Sequence, residues 1–444
     1  MLYSHELLAL FKSKKIEVGY RIQVQKNNVN YEGILMPRIK AGDQTTVVIK
    51  LDNGYNIGIK YEKDVKVKLL ARGKPIKFKP AELSLKKDPG KPTVSILGCG
   101  GTIASRVEYK TGGVFPAFSP GDLLLAFPKL QNLANIEGRK LFDLWSEDIT
   151  TEHWKIIAKE VAKEINQDKV DGVVLMSGTD FLHYTSAALN FALQNLPVPV
   201  VVTGAQRSSD RGSSDNEMNL LSSVATATSD IAQVTVCMHA GHSDDFCYVH
   251  SGVKVRKLHT STRDAFKSVN VLPFAKVLQN TKIDFIRNDF SRRSKGKVKV
   301  DDKFNPNVTL IYTYPGIKPE FVRSLSNYDG IVIAVSGIGQ VPTGSHGDKF
   351  AKSLIPTIKS LIDSGIPIVA TPQTIYGRLN LNVYDAGRML NETGVIGNGC
   401  DWTPDTALVK LMWVLGHTKN MNKVREMMLT NIAGEISERT MVLI

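Results

Sequence analysis

Residues Val94 to Thr102 read VSILGCGGT. Val94, Ile96 and Leu97 form an apolar run that stops at Gly98, Gly100 and Gly101. A run of this kind reads as a buried strand, and the glycines let the backbone turn tightly and approach a ligand closely. In open α/β sheets the crevice beyond the carboxyl ends of the strands is where ligands bind, and the turn carries one hydroxyl, Thr102, to that end. The turn is either a phosphate cradle or a catalytic elbow. The dinucleotide fingerprint G-x-G-x-x-G fails because Ile103 stands at the third glycine, and no Gly-x4-Gly-Lys-Ser/Thr run occurs. That moves the balance toward a presented nucleophile.

From Val94 onward the pattern alternates strand and helix. Strands are predicted at 94–98, 140–145, 172–176, 198–202 and 232–238, and helices near 119–127, 152–166, 182–194 and 216–228. This predicts a doubly wound, mostly parallel sheet over 93–285. The polar, basic run at 286–307 breaks the rhythm and reads as a connection. A second α/β alternation covers 308–444, with strands at 308–313, 329–335 and 367–371 and helices near 349–364, 403–415 and 420–430. Ahead of both lie a short helical pattern from His5 to Lys14 and five short β-branched-rich segments: 18–24, 31–36, 45–51, 55–60 and 65–70. Asn53-Gly54 joins the third to the fourth as a tight hairpin. These segments predict a small β-barrel module within 1–75. The basic, Pro-rich stretch at 76–92 reads as an extended linker.

A chain of 444 residues is long enough for two or three domains with sizeable cores. No apolar run approaches the ~20 residues needed to span a bilayer, and MLYSHELLALFKSKK lacks the features of a signal peptide. Cys99, Cys237, Cys247 and Cys400 have no paired spacing and fit reduced thiols of a cytoplasmic protein. The net charge of +13 fits a solvated basic surface and permits contact with a polyanion such as RNA. No nucleic-acid-binding motif accompanies it.

Three further stretches place polar groups beside strand ends. VVLMSGTD (173–180) presents Thr179 next to Asp180. KVRKLHTS (254–261) offers Lys257. VVVTGAQRSSDRGSSD (200–215) crowds Gln206, Arg207, Asp210 and Asp215 into a loop before a helix. Taken singly, each has an ordinary reading: Ser, Thr and Asp after a strand cap the next helix, and a lone lysine sits in solvent. Taken together they supply a hydroxyl and its activating groups, because a hydroxyl is a poor nucleophile without a neighbouring base. His239, His242, Cys247 and His250 are all metal-ligand types, but their spacing matches no familiar zinc pattern. No metal is expected there.

GGTIA (100–104), SGTD (177–180) and the lysine within RKLHTSTRDAFKSVN resemble the bacterial-type L-asparaginase/glutaminase family, in order and spacing, from about Lys91 to the C-terminus. More narrowly, the appended β-module, GAQRSSD, RKLHTS and CDWTPDTALVKL resemble the D-type subunits of archaeal-type glutamyl-tRNA(Gln) amidotransferases. The resemblance implies an asparaginase-like pair of α/β domains. It assigns the two catalytic threonines to Thr102 and Thr179, the aspartate to Asp180 and the lysine to Lys257, with Thr102 as attacker. Ser146 and Glu147 fall where the family holds the substrate's α-carboxylate and α-amino groups, and Asp180 also contacts that ammonium. By strand-end geometry, backbone N–H groups around Gly101 and Gly178 are candidate oxyanion donors. Two departures stand out: SGTDF replaces the family's HGTDT, and Phe115 stands where free asparaginases carry a loop tyrosine, leaving Tyr109 as the nearest substitute.

The resemblance further implies glutamine as substrate and no cofactor on this chain. It implies an E-type partner that binds tRNA and amidates Glu-tRNA(Gln) with ATP and Mg2+, and a homodimer within a heterotetramer. Two other readings stay open on the residues alone. One is a stand-alone cytoplasmic L-asparaginase; the other is a non-catalytic RNA-docking scaffold.

Overall fold

The computed structural model describes residues 3–38, 42–72, 87–101, 105–107, 114–116, 123–124, 126–208, 211–344 and 347–440. Thr102, Tyr109 and Asp210 lie outside the described residues, as do most of the expected linker and most of the predicted helix at 119–127.

The N-terminal module opens with α1 (His5–Ser13), whose first turn is capped by the Ser4 hydroxyl accepting from the Leu7 N–H. Five antiparallel strands follow: β1 (Arg21–Lys26), β2 (Val29–Leu35), β3 (Thr46–Lys50), β4 (Asn56–Lys60) and β5 (Lys66–Ala71). Their order is β4-β3-β2-β1-β5, with β4 and β5 at its two ends. Alternation puts Ile22, Val24, Val47 and Ile49 beneath α1 in a core of the module's own, with Leu7, Phe11 and Val67. Gly54, at φ +87°, makes the β3–β4 turn.

The central sheet has eight strands. In chain order these are β6 (Thr93–Gly98), β7 (Asn135–Lys140), β8 (Gly172–Met176), β9 (Val200–Thr203), β10 (Val234–His239), β11 (Phe246–Ser251), β14 (Ala275–Leu278) and β15 (Ile283–Phe285). A separate two-stranded ribbon, β12 (Val255–Lys257) with β13 (Phe266–Ser268), stands between β11 and β14 in the chain. The spatial order is β15-β14-β11-β10-β9-β8-β6-β7. The five strands from β10 to β7 run parallel, while β11, β14 and β15 add antiparallel partners at one edge. The sheet is therefore mixed.

β8 and β9 are buried along their whole length, as parallel strands covered on both faces must be. Leu97, Val173 and Leu175 face a layer containing α2 (Thr151–Asn166) and α3 (Leu182–Ala192). Val94, Ile96, Val174 and Met176 face the opposite layer with α4 (Asn216–Ala227).

The strand expected at 140–145 lies instead at β7, residues 135–140. β7 pairs with β6 in register from Thr93–Asn135 to Gly98–Lys140, so its partner is used up at Gly98. The Leu141 N–H then donates to the Gly98 carbonyl at 2.7 Å and closes the ladder. Leu141 and Phe142 pack on the core as irregular chain. Gly138 is required within β7, because a Cβ there would lie 2.3 Å from the Ile96 carbonyl oxygen.

The second α/β unit has a three-stranded parallel sheet, β16 (Val308–Tyr312), β17 (Gly330–Val335) and β18 (Ile368–Pro372), in that order. Its longer helices are α5 (Ile355–Asp363), α6 (Asp385–Glu392), α7 (Pro404–Leu415) and α8 (Met421–Leu429). α7 joins the two units: Ala407, Leu411 and Val414 share one apolar cluster with Val173 and Leu189 on one side and Val332 and Val369 on the other.

Candidate active site

The site forms where β6 and β8 end side by side. Cys99 donates its N–H to the Met176 carbonyl at 2.8 Å, after which both chains turn. Gly100 (φ +101°) and Gly101 (φ +88°) occupy the left-handed region that favours glycine. A Cβ on Gly101 would lie 2.5 Å from the Gly178 nitrogen, so the two turns meet backbone to backbone. Gly178 in turn packs on Ser146: its Cβ would be 3.1 Å from the Ser146 Cβ. A Cβ on Gly204, after β9, would likewise lie 2.6 Å from the Ser177 carbonyl oxygen and 2.8 Å from Thr179 Cγ2. Three strand-end turns therefore wall one small space.

Two side chains bring the chemistry to it. The amine of Lys257, at the end of β12, donates to Thr179 Oγ1 at 2.9 Å and to Asp180 Oδ1 at 2.7 Å. Both distances are those of direct hydrogen bonds. The lysine side chain is only 9 % exposed, whereas Asp180 is 62 % exposed and open to an incoming ligand. The sequence separation of 77 residues between Asp180 and Lys257 is bridged by the ribbon β12–β13, which follows β11.

Ser146 lies buried in a single 3-10 turn. Its hydroxyl accepts from the Phe181 N–H at 3.2 Å and donates to Glu147 Oε2 at 3.0 Å. Gly101, Gly178, Ser146, Glu147, Thr179, Asp180 and Lys257 thus belong to one connected set. Thr102 is bonded to Gly101 but lies outside the described residues, as does Tyr109.

Several further side chains surround this set. Ser177 is fully buried, with no hydrogen-bond partner for its hydroxyl among the described residues. His183, in the first turn of α3, is buried with Nδ1 unpartnered among the described residues. Burial pushes its pKa down, against the opposing pull of Asp405, so the ring is neutral at neutral pH. Arg256 pairs with Asp405 from α7. Ser177, Arg256, Asp405 and Gly204 each lie within a motif singled out in the sequence (SGTD, RKLHTS, CDWTPDTALVKL and GAQRSSD), whereas His183 lies in none. In the loop that begins at Gly204, Asp215 accepts from the backbone N–H groups of Gln206 and Arg207 at 2.9 Å each, a turn-closing role.

The histidine-rich stretch is absorbed structurally. His239 bonds Asn219 Oδ1 at 2.7 Å and Asp244 Oδ1 at 3.0 Å, and His250 bonds the Ser268 hydroxyl at 2.7 Å. Among the described residues no three His, Cys, Asp or Glu side chains converge on a metal-holding position.

Known families divide the chain at the same places. "Asparaginase, N-terminal" matches residues 93–290, "Glutaminase/Asparaginase C-terminal domain" residues 307–428, and "GatD N-terminal domain" residues 16–70. Relatives named as the D subunits of glutamyl-tRNA(Gln) amidotransferases match almost end to end. The one from Pyrococcus furiosus is 48 % identical, covering 97 % of each chain. That from Methanothermobacter thermautotrophicus is 44 % identical, covering 100 % of this chain and 99 % of its own.

The chain belongs to the family of glutamyl-tRNA(Gln) amidotransferase D subunits. Within that family's length, the part shared with solved L-asparaginases is smaller. The thermostable L-asparaginase from Thermococcus kodakarensis is 32 % identical with a TM-score of 0.70, and all of it aligns with 78 % of this chain. L-asparaginase I from Vibrio cholerae is 27 % identical with a TM-score of 0.67 over the same share. The GatD N-terminal match at 16–70, by contrast, includes the five-stranded module.

Proposed function

We propose that this chain is the glutaminase subunit of a tRNA-dependent amidotransferase. It hydrolyses the side-chain amide of glutamine and passes ammonia to an E-type partner, which amidates Glu-tRNA(Gln) using ATP and Mg2+. The chain works as a homodimer within a heterotetramer.

The observation that carries this reading is the position of the Lys257 amine, within hydrogen-bond distance of both the Thr179 hydroxyl and the Asp180 carboxylate. In the proposed reaction Thr102 attacks the amide carbon. Its proton passes through Thr179 and Lys257, and Asp180 holds the amine in line. Ammonia leaves with a relayed proton, and water then cleaves the acyl-threonine to glutamate. The attacking hydroxyl needs such a relay because it is a weak nucleophile until a neighbouring group takes its proton. Ser146 and Glu147 hold the substrate's α-carboxylate and α-amino groups, with Asp180 shared between amine and substrate. N–H groups at Gly101 and Gly178 are aimed at the developing oxyanion. Tyr109 stands in for the loop tyrosine.

The residues match that chemistry, and the near-complete length match to the amidotransferase relatives favours a partnered glutaminase over a free asparaginase. The test is transamidation of Glu-tRNA(Gln) by the full complex, with glutamine or with ammonium as donor. Thr102→Ala is expected to abolish glutamine-dependent product, Lys257→Ala to reduce it to a small measurable residue, and both to leave ammonium-dependent product intact. Loss with both donors in a folded, partner-bound variant counts against the assignment. Robust asparagine turnover by the isolated chain would instead support the stand-alone enzyme.

A further inference from the structure

Lys257 acts on residues of the central sheet, yet the strand that carries it is held from the other side. β12 and the two residues before it are fastened to the start of α7. Lys254 Nζ lies 2.8 Å from Asp401 Oδ1 and donates to the Asp401 carbonyl at 3.0 Å. Those two side chains are 1 % and 2 % exposed. The Thr406 hydroxyl donates to the Val253 carbonyl at 3.0 Å. Arg256 pairs with Asp405, whose other oxygen accepts from the Thr403 hydroxyl at 2.9 Å. Asp405 lies in the first turn of α7, where the helix dipole favours a negative charge. In a strand, residues 254 and 256 point to the face opposite 257. Both ion pairs are thus made on the back of the strand whose front delivers the catalytic amine.

We infer that Asp405, with Asp401, is a positioning residue for Lys257: the second α/β unit sets where the amine sits relative to Thr179 and Asp180. Neither aspartate touches those two residues in the described hydrogen bonds, so each acts through the backbone of 253–257. The inference rests on the site reading above. It adds a dependence of the chemistry on the domain that contributes none of the proposed reacting groups.

The experiment is steady-state glutamine hydrolysis by the full complex carrying Asp405→Asn, alone and combined with Lys257→Ala. A displacement of about 1 Å costs on the order of 100-fold in rate. Asp405→Asn is therefore expected to lower kcat by about that factor and leave KM for glutamine within about twofold, because the substrate's charged groups rest elsewhere. Asp405→Glu, which keeps the charge, is expected to restore most of the rate. In the Lys257→Ala background Asp405→Asn should take away nothing further, since the group it positions is gone. Asp405 is buried; if Asp405→Asn does not fold, the charge-free pair Arg256→Gln/Asp405→Asn replaces it with the same expectations. A kcat within twofold of the parent, or an equal loss in both backgrounds, overturns the inference. If Lys257→Ala itself leaves hydrolysis unchanged, the fault lies in the reading of the site rather than in this coupling.

Discussion

Tyr55 of the N-terminal module lies against Gly212 of the loop that follows β9. A Cβ on Gly212 would sit 2.5 Å from Tyr55 Cε2 and 2.9 Å from the Asn53 carbonyl oxygen, and the Tyr55 hydroxyl lies 3.4 Å from the Ser213 hydroxyl. The hairpin tip therefore touches the loop that begins at Gly204, which itself walls the candidate site. The contact is small and half exposed, so it orients the module more than it stabilises it.

Gly212→Val puts a branched side chain into the space of the Tyr55 ring and must push the hairpin away. Amide hydrogen exchange at residues 51–56 and 211–214 is expected to quicken several-fold, with little change in the global unfolding midpoint, because the module has its own core. Tyr55→Ala should quicken the same amides without a clash. Unchanged exchange in both variants would mean that the contact orients nothing.

Gly101→Ala tests the meeting of the two turns. The added methyl needs a left-handed backbone at φ +88° and would stand 2.5 Å from the Gly178 nitrogen. Relief requires the strand ends to part, which separates Gly101 from Thr179. Glutamine hydrolysis is expected to fall by about 100-fold or more, the scale of a 1 Å misplacement, while far-ultraviolet circular dichroism stays that of the parent. An active Gly101→Ala enzyme would show that the close approach is dispensable.

Much of this architecture is legible in the sequence, for identifiable reasons. VSILG and GVVLM are continuous apolar runs ending in or beginning with glycine, which a strand buried on both faces explains, and both strands form as expected. The five short strands of the module are likewise marked by alternation and by Asn53-Gly54. β7 escapes because NIEGRK is polar and carries a glycine; it forms by pairing with β6, a tertiary fact that local pattern does not hold. β11 is hidden inside the histidine-rich stretch, where residues of metal-ligand type mask its alternating apolar ones. Arg256 and Asp405 stand in the motifs RKLHTS and CDWTPDTALVKL, but nothing in either stretch shows that they pair. Only the approach of the first turn of α7 to β12 brings them together, with Asp405 buried and Arg256 partly exposed.

Lys410 and Glu435 form a second ion pair, 2.5 Å apart, with neither side chain exposed. The lysine also donates to the Met428 and Thr430 carbonyls at 2.7 and 2.6 Å. Glu435 accepts from the Ala433 N–H at 2.7 Å. The pair ties the segment after α8 to α7. Glu435→Gln leaves an ammonium in the interior with carbonyls but no counter-charge, a change that costs about 3–5 kcal/mol. Urea denaturation should report a loss of that order. A loss below about 1 kcal/mol would mean that solvent reaches the lysine.

His250 sets an acid limit on the fold. It is fully buried in β11, its Nδ1 bonded to Ser268 and its Nε2 without a partner among the described residues, and burial beside Lys267 pulls its pKa down to about 3. In the unfolded chain a histidine titrates near 6.5. Between about pH 6.5 and pH 3 the unfolded state therefore takes up a proton that the folded state refuses, and stability falls as pH falls. The slope is about 1.4 kcal/mol per pH unit for one such group. His250→Gln removes the titration and keeps a side chain able to bond Ser268. Between pH 7 and pH 5 the variant should lose about 2 kcal/mol less stability in urea than the parent, whatever its absolute stability at pH 7. Parallel losses in the two proteins would show that His250 is protonated in the folded state.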